Sequence, residues 1–219
     1  MRPSRRPNHF SCEPTSIDLS LAYIDDHLIV ADKPSGLLSV PGRAADNQDC
    51  VVSRLQVLYP DALTVHRLDM VTSGLLLHGR GKAMQIALSK LFEARQVHKR
   101  YVALVEGQVA GQAGQIDLPL RCDWDHRPRQ MVDHELGKHA LTRWRLLGHE
   151  DGRSRVELEP VTGRSHQLRL HLASIGHPIV GDVMYGARPA VRVCLHAAEL
   201  GLRHPISGQV LHWVSPAPF

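Results

Sequence analysis

The sequence predicts an α+β fold: a large mixed, mostly antiparallel sheet flanked by helices. Short strand-like runs bounded by turn residues recur along the chain, tight turns join several of them as hairpins, and two principal stretches carry helical spacing. From Leu19, LSLAYIDDHLIVADKP reads as two short strands split by Asp25 and Asp26, ending where Pro34 removes a ladder donor. A glycine-rich loop, SGLLSVPGR, follows. In HRLDMVTSGLLL, Asp69 stands at the junction of a loop and a buried strand. Lys82 to His98 places Met84, Ala87, Leu88, Leu91 and Ala94 on one side at helical spacing, so a helix packed on the sheet is expected there. RYVALVEG then alternates as a strand beginning at Tyr101, and residues from about Gly107 to His139 are polar, contain proline and fit no element. LTRWRLLGHEDGRSRVELEPV is a hairpin with Asp151-Gly152 at its tip. TGRSHQLRLHLASIGHP is a short helix stopped by Gly176 and Pro178. VCLHAAELGLRHPISGQVLHWVSP gives two or three final strands joined by the turn from Pro205 to Gly208.

With 219 residues, 43% hydrophobic and 22% charged, the chain buries a sizeable core, and one large domain over 19–219 is expected. Residues 1–18, rich in Pro, Ser and Arg without periodicity, read as a basic, loosely held arm. MRPSRRPNHF has no apolar run behind its arginines, and no stretch approaches the roughly 18 apolar residues of a membrane span, so a cytoplasmic protein with no membrane partner is expected. Cys12, Cys50, Cys122 and Cys194 lie far apart without a CxxC pair, which argues against a zinc ribbon or disulfide framework. Fifteen histidines raise a metal-dependent hydrolase as a rival reading, but His166, His171 and His177 lack the i, i+4 spacing of a helical zinc site. The net charge of +4 is carried by 21 Arg against 5 Lys. Planar guanidinium groups grip phosphate and stack on bases, which fits a nucleic-acid partner and fits a GC-rich genome equally well.

Taken alone, Asp69, Thr72, Ser73 and Gly74 suit a turn. Two further stretches add chemistry: TGRSHQLRLHL offers Arg164 and Arg169 as cations, and KRYVALVEG offers Tyr101 as an aromatic at a strand start. HRLDMVTSGLLL, with IVADKPSGLLSVPG before it and KRYVALVEG and GRSHQLRLHLASIGHPIVGDVMYG after it, resembles the four signature stretches of the RluA family of pseudouridine synthases, in the same order and from about Leu21 to the C-terminus. IDLPLRCDWDHRPRQMV and the chain length narrow the resemblance to the branch that modifies both 23S ribosomal RNA and tRNA. Ser165 and Leu168 stand where many members have Thr and Ile.

That resemblance implies a pseudouridine synthase catalytic fold with a central RNA-binding cleft. It implies an enzyme that cuts the bond between uracil and ribose, turns the base and rejoins it through carbon, with no cofactor and no metal. Asp69 is then the catalytic nucleophile, by attack on the sugar, attack on the base or an assisted elimination; each route needs an ionised carboxylate. Arg164 is expected as the cation beside Asp69, holding it charged against desolvation. Tyr101 is expected against the target base, stacking and helping to move the proton at carbon five. Arg67 resembles the residue that fills the space left by an extruded uridine; His66, Leu68 and Thr72 would line the substrate cleft, and Leu195 its base pocket. The leucines behind Asp69 would fix it rigidly at the floor of that cleft. The implied partners are RNA stem-loops of 23S rRNA and tRNA, with no DNA, bound by a monomer. No S4-type RNA-binding domain is expected, so recognition would rest on the catalytic domain, the arm and the segment from Gly107 to His139. A relative that has kept the cleft but only remodels RNA is the nearest rival.

Overall fold

The structure, a computed structural model, describes residues 18–43 and 47–219. The arm expected over 1–18 lies, except for Asp18, outside the described residues. Ten strands form one continuous sheet: β1 (Ser20–Ile24), β2 (Leu28–Lys33), β3 (Ala62–Thr64), β4 (Ser73–Arg80), β5 (His98–Glu106), β6 (Ala113–Asp117), β9 (Leu141–Glu150), β10 (Arg153–Pro160), β11 (Leu195–Arg203) and β12 (Val210–Val214). The remaining two, β7 (Leu120–Cys122) and β8 (Gln130–Val132), make a separate two-stranded ribbon. The main path runs β1-β2-β4-β11-β5-β10-β9-β6, with β3 beside β4 and β12 beside β11. The pair β4–β11 is parallel and every other pair is antiparallel, as a mixed, mostly antiparallel sheet requires.

β4 is buried along nearly its whole length because both of its faces are covered. Leu75 and Leu77 point to one face and pack with Met84 and Leu88 of α2 (Gly81–Glu93), while Leu76 points to the other and packs with Val51 and Leu55 of α1 (Val51–Leu58). Gly74 approaches the backbone of Ala197 so closely, at φ +109°, that any side chain would collide with it; this glycine lets β4 and β11 pair in parallel. The third helix, α3 (Gln167–Ser174), contributes Leu168 and Leu172 to the core of β5, β10 and β11.

The hairpin expected at Asp151-Gly152 joins β9 to β10, with both residues at positive φ and Glu150 opposite Arg153. Gly176 ends α3 at φ +85°, and Gly208 sits at φ +72° in the turn before β12. The helix expected over Lys82 to His98 stops earlier, at Glu93, because Arg95 takes the left-handed conformation at φ 58°. β5 consequently starts at His98 rather than at Tyr101. Among the described residues three α-helices are present where two principal ones were expected. The extra one, α1, is short and capped by Cys50, whose thiol accepts from the Ser53 amide while the Ser53 hydroxyl accepts from the Cys50 amide. The unassigned stretch 107–139 holds β6, β7 and β8.

Candidate active site

Asp69 sits in the loop between β3 and β4, and that loop is fastened from below by the segment Lys33 to Ser39. The Lys33 ammonium, fully buried, donates to the carbonyls of Pro34, Leu37 and Met70 at 2.9, 2.7 and 3.0 Å. Ser35 Oγ donates to the Val71 carbonyl at 2.7 Å, and Ser39 Oγ both donates to the Leu68 carbonyl and accepts from the Leu68 amide. The Thr72 amide closes a turn onto the Asp69 carbonyl at 3.0 Å. These bonds tie the Leu68 amide and the carbonyls of Leu68, Met70 and Val71 to the segment that follows β2, on both sides of Asp69. Burial drives the Lys33 pKa down to about 8, a shift that the negative charge of Asp69 partly offsets.

The cation beside Asp69 is Arg169, not Arg164. Arg169 Nη1 lies 3.3 Å from Asp69 Oδ2, while Arg169 Nε and Nη2 form a two-pronged pair with Asp182 at 2.6 and 2.8 Å. The Arg169 side chain is 5% exposed and Asp182 1%, so the guanidinium is a buried bridge between an inner and an outer carboxylate. Burial opposes its charge, yet the hydrogen bond and charge of Asp182, joined by those of Asp69, raise its pKa above the ordinary value. Arg164 precedes α3 and is exposed; its Nε donates to the His139 carbonyl at 3.0 Å and its amide to Gln167 Oε1 at 3.0 Å. The expected pairing of Arg164 with Asp69 is therefore corrected. Gln167 to Leu172 are all buried, so the cation that reaches the cleft floor is the one inside the helix, and the arginine in the preceding loop stays at the rim.

His166 adjoins the same cluster. At φ 53° it occupies the left-handed position before α3, with Nδ1 2.8 Å from Tyr185 Oη and Nε2 3.9 Å from Asp69 Oδ1. Burial lowers its pKa; Asp69 pulls the other way, and Arg169 adds to the lowering.

Asp69, Arg164, Arg169 and Tyr101 line one cleft of about 590 Å³, together with the expected His66, Arg67, Leu68, Thr72 and Leu195. Five Lys and Arg side chains, Arg67, Arg95, Lys99, Arg164 and Arg169, face two acids, Asp69 and Glu93. Apolar walls come from Leu68, Leu195 and the ring of Tyr101, whose phenol pKa is raised by burial and then by the charge of Asp69. His66 is more anchor than contact: its Nε2 accepts from the Leu77 amide at 3.0 Å, its ring stacks on Phe92 at 4.4 Å, and burial lowers its pKa to about 3. Thr72 and Leu195 are buried, whereas Arg67 is exposed at the mouth. Sequence reasoning named Arg169 only as an available cation and missed Asp182, Tyr185, His166 and Lys33. One signal was legible: a charge inside a helix otherwise filled by buried residues needs a carboxylate partner.

The family model for RNA pseudouridylate synthase matches residues 27–174. The chain is 49% identical over 200 residues to the dual-specificity RNA pseudouridine synthase RluA of Vibrio cholerae, covering 90% of this chain and 80% of that protein. With the RluA of Escherichia coli K12 the identity is 46% over 206 residues, covering 92% and 94%. Among solved structures, human RNA pseudouridylate synthase domain containing 1 superposes with a TM-score of 0.77 at 31% identity, over 94% of this chain and 87% of that one. Human RNA pseudouridylate synthase domain containing 4 gives a TM-score of 0.74 at 26% identity, over 91% and 88%. Four signature stretches, folded around one acid and its buried arginine, and relatives matched across nine-tenths of the chain make this a member of the RluA family of RNA pseudouridine synthases.

Proposed function

We propose that this enzyme converts uridines in stem-loops of both 23S ribosomal RNA and tRNA to pseudouridine, with Asp69 as the catalytic nucleophile and Arg169 as the cation paired with it. The observation that carries the reading is the 3.3 Å contact between Asp69 and a buried Arg169 in a cleft shared with Tyr101. Each route of glycosidic cleavage needs a carboxylate beside the reacting atoms, since protonation would remove its nucleophilicity, and a buried guanidinium at its side complements that charge. The reaction breaks the N1–C1′ bond, forms C5–C1′ and moves one proton from C5 to N1, so no redox partner is required.

Tyr101 supplies a face for the flipped uracil. Its raised pKa keeps it a neutral phenol near pH 7, suited to stacking and to relaying the C5 proton through a hydrogen bond rather than to acting as a phenolate. Arg67 at the mouth fills the gap left in the RNA by the extruded base, and Arg95, Lys99 and Arg164 contact phosphates along the rim. His66, Leu68, Thr72 and Leu195 shape the cleft rather than react. In this reading residues 19–219 work as one catalytic unit, assisted by the basic arm, as a cytoplasmic monomer. Among the described residues no helix is long and apolar enough to cross a membrane.

The dual specificity is the reading favoured by the names of the curated relatives. Chemical mapping of pseudouridine in total RNA, from cells with and without the gene, tests it. Sites lost in both 23S rRNA and tRNA are expected. Loss in one RNA class alone removes the dual assignment, and loss in neither removes the reading.

A further inference from the structure

On the sheet face turned away from Tyr101, three adjacent strands bring His98 (β5), Glu199 (β11) and His212 (β12) together. His98 and Tyr101 point to opposite sides of β5, so this cluster lies outside the catalytic cleft. His98 Nε2 is 3.4 Å and His212 Nε2 is 3.1 Å from the same carboxylate oxygen, Glu199 Oε2, and one donor atom from each residue lies within 4.8 Å of the other two. The ladder explains the convergence. Gly201 stands between His98 and His212 in the cross-strand register, and Glu199 is two residues before it, on the same face. A Cβ at Gly201 would lie 3.1 Å from His212 Cδ2 and 3.5 Å from His98 Cβ, so the missing side chain makes room for the two rings to lean over one point.

The neighbouring charges are otherwise engaged. Arg100 and Arg145 pair with Glu157, and Arg143 with Glu159, whereas the Glu199 carboxylate meets the two imidazoles. Two histidines and one carboxylate are a donor set for a borderline divalent cation of the zinc type. Zinc ligands at about 2.1 Å in tetrahedral geometry are about 3.4 Å from one another, close to the two N–O separations present. Side-chain exposures of 43%, 34% and 48% leave solvent access for a fourth ligand and freedom for the rings to close the last ångström.

We propose that His98, Glu199 and His212 form a surface site for one zinc-type divalent ion, separate from the catalytic centre. Bound there, the ion links three strands across the sheet. β12 has β11 as its sheet partner, so the ion would join this strand through β11 to β5, the strand that carries Tyr101. The site is a clamp on sheet register and takes no part in the reaction.

The test uses the full-length, tag-free protein, stripped with chelator and titrated with zinc against a chromophoric competitor, with thermal melts in parallel. The expected result is one ion per chain, a rise in melting temperature with zinc, and at least a tenfold loss of affinity in Glu199→Gln and in the double variant His98→Gln/His212→Gln. Millimolar magnesium, which prefers oxygen ligands, should not displace the zinc. The targets are partly exposed, so the variants should fold, and circular dichroism of each verifies it. Absence of saturable binding at one ion per chain overturns the proposal. So does unchanged affinity in the folded variants, which would place the ion on other histidines.

Discussion

The floor of the cleft and the outer face of the sheet are built from the same two kinds of side chain, arginine and carboxylate, and water separates their behaviour. On the outer face Arg100, Arg143 and Arg145 meet Glu157 and Glu159 at 3.1–3.7 Å, with the arginine side chains 33–60% exposed. Such pairs exchange one solvated state for another and contribute little. In the cleft, Arg169 and Asp182 are almost wholly enclosed, and the second carboxylate, Asp69, is 18% exposed and open toward the cavity. There the desolvation cost is already met by the Asp182 pair, which leaves the guanidinium's remaining edge directed at Asp69. Position along the burial gradient, rather than the number of charges, separates the enclosed ion pairs of the cleft from those that decorate the outer face.

The largest effect is expected at the exposed end of the buried trio. Asp69→Asn should lower the single-turnover rate by more than about 10³-fold, the scale seen when a nucleophile is removed, while RNA affinity stays close to wild type. A variant that still turns over at a tenth of the wild-type rate contradicts the assignment. Next comes the anchor. Asp182→Ala leaves Arg169 with one partner in a dry site and should cost about 3–5 kcal/mol in denaturant unfolding, or roughly 10 °C in melting temperature. A loss below about 1 kcal/mol would mean that the cleft floor is wet and the contrast with the outer face is false.

A third effect separates buried from solvated groups by pH. His66 has a folded pKa of about 3 against an ordinary 6.5, so the unfolded chain takes up a proton that the folded chain refuses as pH falls through that window. Stability is therefore present above 6.5 and lost progressively below it, by about 2 kcal/mol at pH 5 from this group. Nitrogen NMR should find His66 neutral at pH 5; a protonated ring there would place it in water. The smallest effect belongs to the outer face: Glu157→Gln should change unfolding free energy by less than about 1 kcal/mol, and what it does change should fade in high salt.

Much of this was legible before any coordinates. Asp69 at a loop–strand junction, the apolar run behind it, the Asp151-Gly152 hairpin and the Gly176 stop each follow from residue types whose local physics is strong. What escaped depends on distant contacts. VVSRLQVL offers two turns of helix with an unusual cysteine cap, too little periodicity to stand out. β6, β7 and β8 are three to five residues long, below what alternation can reveal. The exchange of Arg164 for Arg169 has the same origin. Both lie in one motif, and only the start of α3 at Gln167 decides which guanidinium turns inward to Asp182, a partner 13 residues further along the chain.

The most direct test is therefore the pair Arg169→Met and Arg164→Met, compared in single-turnover isomerisation of a uridine-containing stem-loop at saturating enzyme. Arg169→Met should slow the chemical step by at least about 100-fold, as expected when a charge beside the reacting group is lost, whereas Arg164→Met should weaken RNA binding and leave the saturated rate within about tenfold of wild type. The reverse order, with the rim arginine controlling the chemical step and the buried one dispensable, would contradict the account.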